Sequence, residues 1–189
     1  KRVWLKPTFL ADPAPIMGAV DLRLAELGIT IPKASPAAAN YAPWYRSRSG
    51  DTVYIAGQLP RDGQNTLSTG KLGSGCTLEQ GQTAARLCAI HLIGQMRAAC
   101  FGDLDKVKRV LKVEGFVNAT DDFVDHAKVL NGCSDLLVDV FGKDVGLHAR
   151  FAVGCSSLPF GVCVEIGATI EVKADAPTAV KRPQAVSRL

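Results

Sequence analysis

The sequence is short of the residues that most catalytic and metal-binding motifs require. Only three histidines occur in 189 residues: His91, His126 and His148. No HExxH or comparable spacing pairs two of them, so a metal centre would need ligands from distant segments, and none is expected. The six cysteines (Cys76, Cys88, Cys100, Cys133, Cys155 and Cys163) follow one another at intervals of 12, 12, 33, 22 and 8, with no CxxC. This excludes the usual zinc ribbons, and a chain this long does not need a disulfide scaffold. Most of them sit in apolar runs such as Leu87-Cys88-Ala89 and Val162-Cys163-Val164. They read as small core residues of a protein kept in a reducing compartment.

Long hydrophobic runs are missing too. Nothing approaches the roughly 18 apolar residues that a membrane-spanning helix needs. There is no phosphate cradle: Gly70-Lys-Leu-Gly-Ser-Gly75 misses the P-loop spacing, and no Lys-Ser/Thr pair follows it. There is no GxSxG nucleophile elbow. Charge of one sign is absent from the middle of the chain. The formal net charge is +4. Residues 1–17 hold three basic groups and one acidic, and 173–189 hold four and one. Residues 18–172 carry 15 basic and 16 acidic groups. The basic balance therefore lives in the tails, and nucleic acid is not an expected partner.

What remains is an ordinary globular mix, 47% hydrophobic and 21% charged, long enough for one domain with its own core. Residues 1–17 are read as a tail or leader remnant, 18–172 as the domain, and 173–189 as a second tail. Cytoplasmic location is expected, or an organelle if residues 1–16 are a targeting remnant.

Within the domain, Val20 to Leu27 forms a short helix stopped by Gly28. Thr52-Val-Tyr-Ile-Ala56 is β-branched and apolar and reads as a strand that Gly57 and Pro60 stop. Residues 62–75, with four glycines, read as a loop. Thr77 and Gln80 have capping-box spacing ahead of a helix running to about Cys100. Val107 to Val117 is read as a strand. Thr120-Asp-Asp-Phe is expected to cap a second main helix that ends near Phe141-Gly142. Strands over 149–156 and 162–172 follow, with a further one near Trp44–Arg48. The order indicates α+β: one mixed sheet with two main helices on a single face. Its other face needs cover, and homo-oligomerisation is the expected solution.

Two charges stand in apolar strand sequence, Arg150 in His-Ala-Arg-Phe-Ala-Val-Gly and Glu165 in Val-Cys-Val-Glu-Ile. Such charges are costly unless they pair with each other, sit at an edge or face an aqueous cleft. His91 reads as a helix residue, packed or exposed, and His126, beside Asp122 and Asp125, as part of a solvated face.

With Tyr41, the run Val53-Tyr-Ile-Ala-Gly-Gln-Leu-Pro60, and Ala149-Arg150 followed by Leu158-Pro159 and Val164-Glu165-Ile166, the chain resembles the Rid/YjgF family. These are imine/enamine deaminases, also labelled L-PSP endoribonucleases. The resemblance implies a chorismate-mutase-like subunit in a homotrimer with clefts between subunits. It implies that Arg150 clamps a substrate carboxylate, and that Glu165 positions or activates the attacking water. Tyr41 would line the pocket, and the backbone at Gly57 would touch ligand. The implied reaction is hydrolytic deamination of amino-acid-derived enamines or imines to 2-oxo acids and ammonia, without a cofactor. The implied partner is thus a small carboxylate or imine metabolite. Two positions depart from the family pattern: Ala56 stands where a serine is common, and Ala152 where a cysteine is often found. They mark a divergent subgroup. Two alternatives follow: a non-catalytic carboxylate-binding trimer acting as a sensor or chaperone-like module, and an endoribonuclease or translation inhibitor.

Overall fold

The computed structural model describes residues 17–173. The tails therefore lie outside the described residues, except for Met17 and Lys173 at their inner ends.

The chain runs through α1 (Ala19–Glu26), β1 (Trp44–Arg46), β2 (Thr52–Gln58), β3 (Lys71–Leu72), β4 (Gly75–Cys76) and α2 (Leu78–Ala99). It continues through β5 (Val107–Asn118), α3 (His126–Phe141), α4 (Lys143–Gly146), β6 (Ala149–Cys155) and β7 (Val164–Val172). Five strands form one sheet in the order β1-β2-β7-β5-β6, and β3 and β4 form a small two-stranded one. The large sheet is mixed: β6 runs parallel to β5, and the other neighbours are antiparallel.

α2 starts where capping chemistry places it. The Thr77 hydroxyl accepts from Gln80 N–H at 3.2 Å, and the Gln80 side chain accepts from Thr77 N–H at 2.8 Å. Two otherwise orphaned donors are satisfied, a contribution of about 1 kcal/mol. Ala85, Cys88, Ala89, Leu92, Ile93, Met96 and Ala99 on α2 are buried. So are Val129, Leu130, Cys133, Leu136, Leu137 and Val140 on α3. Both helices rest on the same sheet face, against Val53, Val110, Val113, Val117, Val164, Ile166, Ala168 and Ile170. Five of the six cysteines belong to this core, Cys155 is half-buried, and all are free thiols.

The other sheet face carries Tyr45, Tyr54, Phe116 and Val153, all exposed. Lys108 pairs there with Glu171, and Lys112 with Glu114. Among the described residues, no helix is long and apolar enough to cross a membrane.

Three sequence expectations need correction. The second main helix begins at His126 with Asp125 as its cap, not at Thr120. Thr120 continues the sheet region instead. Its N–H donates to the Leu72 carbonyl at 2.9 Å, its hydroxyl donates to the same oxygen at 3.3 Å, and residues 121–125 turn away. Gly57 does not stop its strand, because β2 runs on to Gln58 through a bulge. The 62–75 segment is not all loop, since Lys71–Leu72 and Gly75 pair.

Candidate active site

The bulge in β2 shapes the first part of the site. Ile55 pairs with Ala168, but Gln58 pairs with Ile166, so one extra residue is accommodated at Ala56–Gly57. Bulges re-aim backbone in this way beside functional sites. The Gln58 side chain turns back and donates to the Ala56 and Gly57 carbonyls at 3.0 and 3.2 Å, which fixes the bulge. Gln58 is in turn approached by buried Gln95, whose Nε2 donates to the Ser35 carbonyl at 2.9 Å.

Glu165 lies across the bare backbone of Gly57. A methyl group at position 57 would collide with the Glu165 carboxyl. Glycine is therefore needed here for close approach. The two residues, with Ala56, Glu114, Phe116 and Gly167, line a pocket of about 290 Å³ on the open sheet face. Glu165 is half-buried, and that burial alone pushes its pKa up, with no hydrogen bond or charge offsetting it.

Tyr41 lies on the other side of Gly57. The two line a small cavity of about 80 Å³ together with Gln58, Arg61, His91 and Gln95. The Tyr41 hydroxyl accepts weakly from Ala38 N–H at 3.4 Å. His91 is half-buried there, with Nε2 3.1 Å from the Arg61 carbonyl, and burial lowers its pKa. Tyr41, Gly57 and Glu165 thus form a continuous group around the bulge.

Arg150 does not join them. Val113, its partner on β5, faces the helices, whereas Phe116 links Glu165 and Val153 on the open face. Arg150 and Glu165 of one chain project from opposite sides of the sheet, which rules out the ion pair that their sequence context allowed. Arg150 is instead held by α3. Its Nη1 donates to Ser134 Oγ at 2.8 Å, and its Nη2 donates to the Ala127 carbonyl at 3.0 Å and Asn131 Oδ1 at 2.8 Å. Those acceptors sit at i, i+4 and i+7 and so form one stripe of the helix. Both parallel-donor edges of a guanidinium include Nη2, and both Nη2 hydrogens are committed to α3. A carboxylate can grip Arg150 bidentately only if Asn131 or the Ala127 carbonyl lets go.

His126 is not on a solvated face. It packs edge-to-face on Phe123, with ring centroids 5.4 Å apart, and stands over Gly154 on the strand face that also carries Arg150. A side chain at 154 would displace it. No group of three or more potential metal ligands occurs among the described residues.

This architecture matches known proteins. A family model described as YjgF/chorismate mutase-like, with a provisional endoribonuclease label, matches residues 21–167. The chain belongs to the YjgF/chorismate mutase-like family. Protein TCP17 of Trypanosoma cruzi, another relative, is 46% identical over 155 residues, covering 82% of this chain and 95% of that protein. A crystal structure of a protein of unknown function from Agrobacterium tumefaciens is 43% identical with a TM-score of 0.74, covering 82% of this chain and 92% of that one. A structure from Shewanella oneidensis, provisionally labelled an endoribonuclease, is 30% identical with a TM-score of 0.76, covering 82% and 100%. Within the YjgF-like frame, sequence reasoning missed Gln95, Asn131 and Ser134, and took Gln58 only as part of the Gly-Gln-x-Pro run. The available signal was polar residues interrupting the apolar stripes of α2 and α3.

Proposed function

We propose that this YjgF-like protein hydrolytically deaminates enamine or imine intermediates derived from amino acids, releasing a 2-oxo acid and ammonia. Glu165 carries this reading: it is an unpartnered, half-buried carboxyl with a raised pKa at the wall of an open pocket. A carboxylate so placed takes a proton from the water that attacks the imine carbon. It returns that proton to the nitrogen to give the carbinolamine, then relays the hydroxyl proton to the amino group, so that the C–N bond breaks, ammonia leaves and the carbonyl forms. The imine carbon is already electrophilic, so the step needs no cofactor.

Arg150 anchors the substrate carboxylate through its charge and planar donors. Because Arg150 and Glu165 of one chain face opposite ways, the reading places the working site between copies. One copy offers Arg150 from edge strand β6, and the next offers Glu165, Gly57 and Tyr41. A homotrimer with clefts between subunits is the corresponding assembly. The exposed Tyr45, Tyr54, Phe116 and Val153 supply apolar surface for such packing.

A second reading, a non-catalytic trimer that binds a small carboxylate, is favoured by the full commitment of Arg150 Nη2 to α3 and by Ala56. Ribonuclease action fits less well, since Lys108 and Lys112 of the open face are each paired with a glutamate.

The test is ammonia release from enzymatically generated 2-aminoacrylate. Wild type should accelerate it, and a folded Glu165→Gln variant should not. Pyruvate binding without acceleration by the wild-type oligomer would reject this substrate and leave the binding module.

A further inference from the structure

The hydrogen bonds of Arg150 do not end at Ser134. Ser134 Oγ lies 3.0 Å from His148 Nε2, and His148 Nδ1 lies 2.6 Å from the Gly146 carbonyl. Donor and acceptor chemistry orients the whole chain of bonds. A carbonyl only accepts, so Nδ1 carries the proton and Nε2 is left as an acceptor. A guanidinium only donates, so Ser134 Oγ accepts from Arg150 and sends its own hydrogen to Nε2. The series is Arg150 Nη1–H to Ser134 Oγ–H to His148 Nε2, with Nδ1–H to Gly146. All three side chains are half-buried at the seam between α3 and β6.

We propose that Ser134 and His148 are positioning residues for Arg150, coupling a proton on the imidazole to the grip of the guanidinium on a carboxylate. This rests on the reading of Arg150 as the carboxylate anchor. With His148 neutral, the serine hydroxyl is fully used and Nη1 is tied to α3. When His148 is protonated, Nε2 also becomes a donor. Ser134 Oγ must then accept from two cations at once, and its own hydrogen loses its acceptor. The Arg150–Ser134 tether weakens, and a second positive charge stands beside the anion site. Carboxylate binding and His148 protonation therefore favour one another, and the linkage is reciprocal.

Burial holds the His148 pKa below its ordinary value, against the raising effect of the Gly146 bond, and the Arg150 charge lowers it further. The surrounding elements also carry Asp135 on α3, Lys143 and Asp144 on α4 and Lys112 on β5. The charge that bears on His148 is that of Arg150, its hydrogen-bond neighbour through Ser134. A carboxylate that neutralises Arg150 removes that opposition.

Pyruvate, ionised throughout the window, serves as the probe, and the full-length chain is followed by calorimetry and by NMR of the histidine rings. Pyruvate should bind roughly fivefold tighter at about pH 5.5 than at about pH 8, the size of one screened charge–charge interaction. Saturating pyruvate should raise the His148 pKa, and the ring nitrogens of the free protein should report the Nδ1–H tautomer. His148→Gln should flatten the pH dependence. Ser134→Ala removes the tether at every pH and should raise binding at about pH 8 toward the wild-type value at about pH 5.5, and Ser134→Thr should bring back the wild-type profile. An unchanged His148 titration on saturation, or the wild-type pH dependence persisting in His148→Gln, would overturn the inference alone. Absence of pyruvate binding by wild type at both pH values would overturn the anchor reading, and the inference with it. The wild-type titration decides the matter even if a variant fails to fold.

Discussion

Glu165 and Arg150 are both charges set in apolar strands, and the fold treats them in opposite ways. Arg150 is surrounded by acceptors: three atoms of α3 meet it within 3.0 Å. Glu165 meets the bare backbone of Gly57 and an open pocket, and burial raises its pKa unopposed. The arginine is therefore part of the architecture as well as of the proposed site, whereas the glutamate is held in a less comfortable state than water would give it. A desolvated, unpaired carboxyl is the group of the two that is poised to exchange a proton.

Four substitutions or measurements sharpen or break that contrast. Glu165→Gln should cut ammonia release from 2-aminoacrylate by about a hundredfold to ten-thousandfold, the usual worth of a general base, and leave urea unfolding nearly unchanged. A large loss of stability instead would make Glu165 structural. Arg150→Ala should do the reverse in stability, costing about 2–4 kcal/mol in urea unfolding because three acceptors on α3 lose their donor. An unfolding midpoint equal to wild type would show that those bonds contribute nothing. Gly57→Ala should cut turnover about tenfold or more by displacing the Glu165 carboxyl, since small misplacements at a reacting centre are costly. Retained activity would mean that the carboxyl works from elsewhere.

The smallest effect concerns pH. The Glu165 pKa is raised in the folded protein, so its contribution is fully present at pH values below the unfolded pKa of about 4.3 and is lost as pH rises through the folded pKa. Thermal melts of wild type and Glu165→Gln should therefore coincide in mild acid, with wild type falling behind as pH rises. His148 works in the other direction. Its lowered pKa gives a contribution present above about pH 6.5 and lost as pH falls through the folded value. Parallel curves for wild type and Glu165→Gln would show that the carboxyl is not perturbed by burial.

Much of the fold was legible along the chain, for local reasons. The α2 cap at Thr77 and Gln80 needs only residues three apart, and the strand phase of Arg150, Ala152 and Gly154 needs only alternation. The failures were also physical. The expected cap at Thr120 yielded to a bond with Leu72, 48 residues away, and local propensity cannot weigh such a partner. His126 looked solvated because neither Phe123's ring nor the space over Gly154 can be inferred from its acidic neighbours.

For the site, the sequence by itself determined which residues carry charge into apolar strands and, through the Gly-Gln-x-Pro run and the Ala-Arg and Val-Glu pairs, which family they resemble. Only the tertiary structure decided what those charges meet. Arg150 and Glu165 come from strands separated by β5 in the sheet, and their sides are set by register. A slip of one residue would reverse either side chain. The partners that hold Arg150 come from a helix whose start the sequence misplaced. Alternation and capping act within a few residues, whereas pairing, burial and the choice of hydrogen-bond acceptors depend on which distant segments pack together.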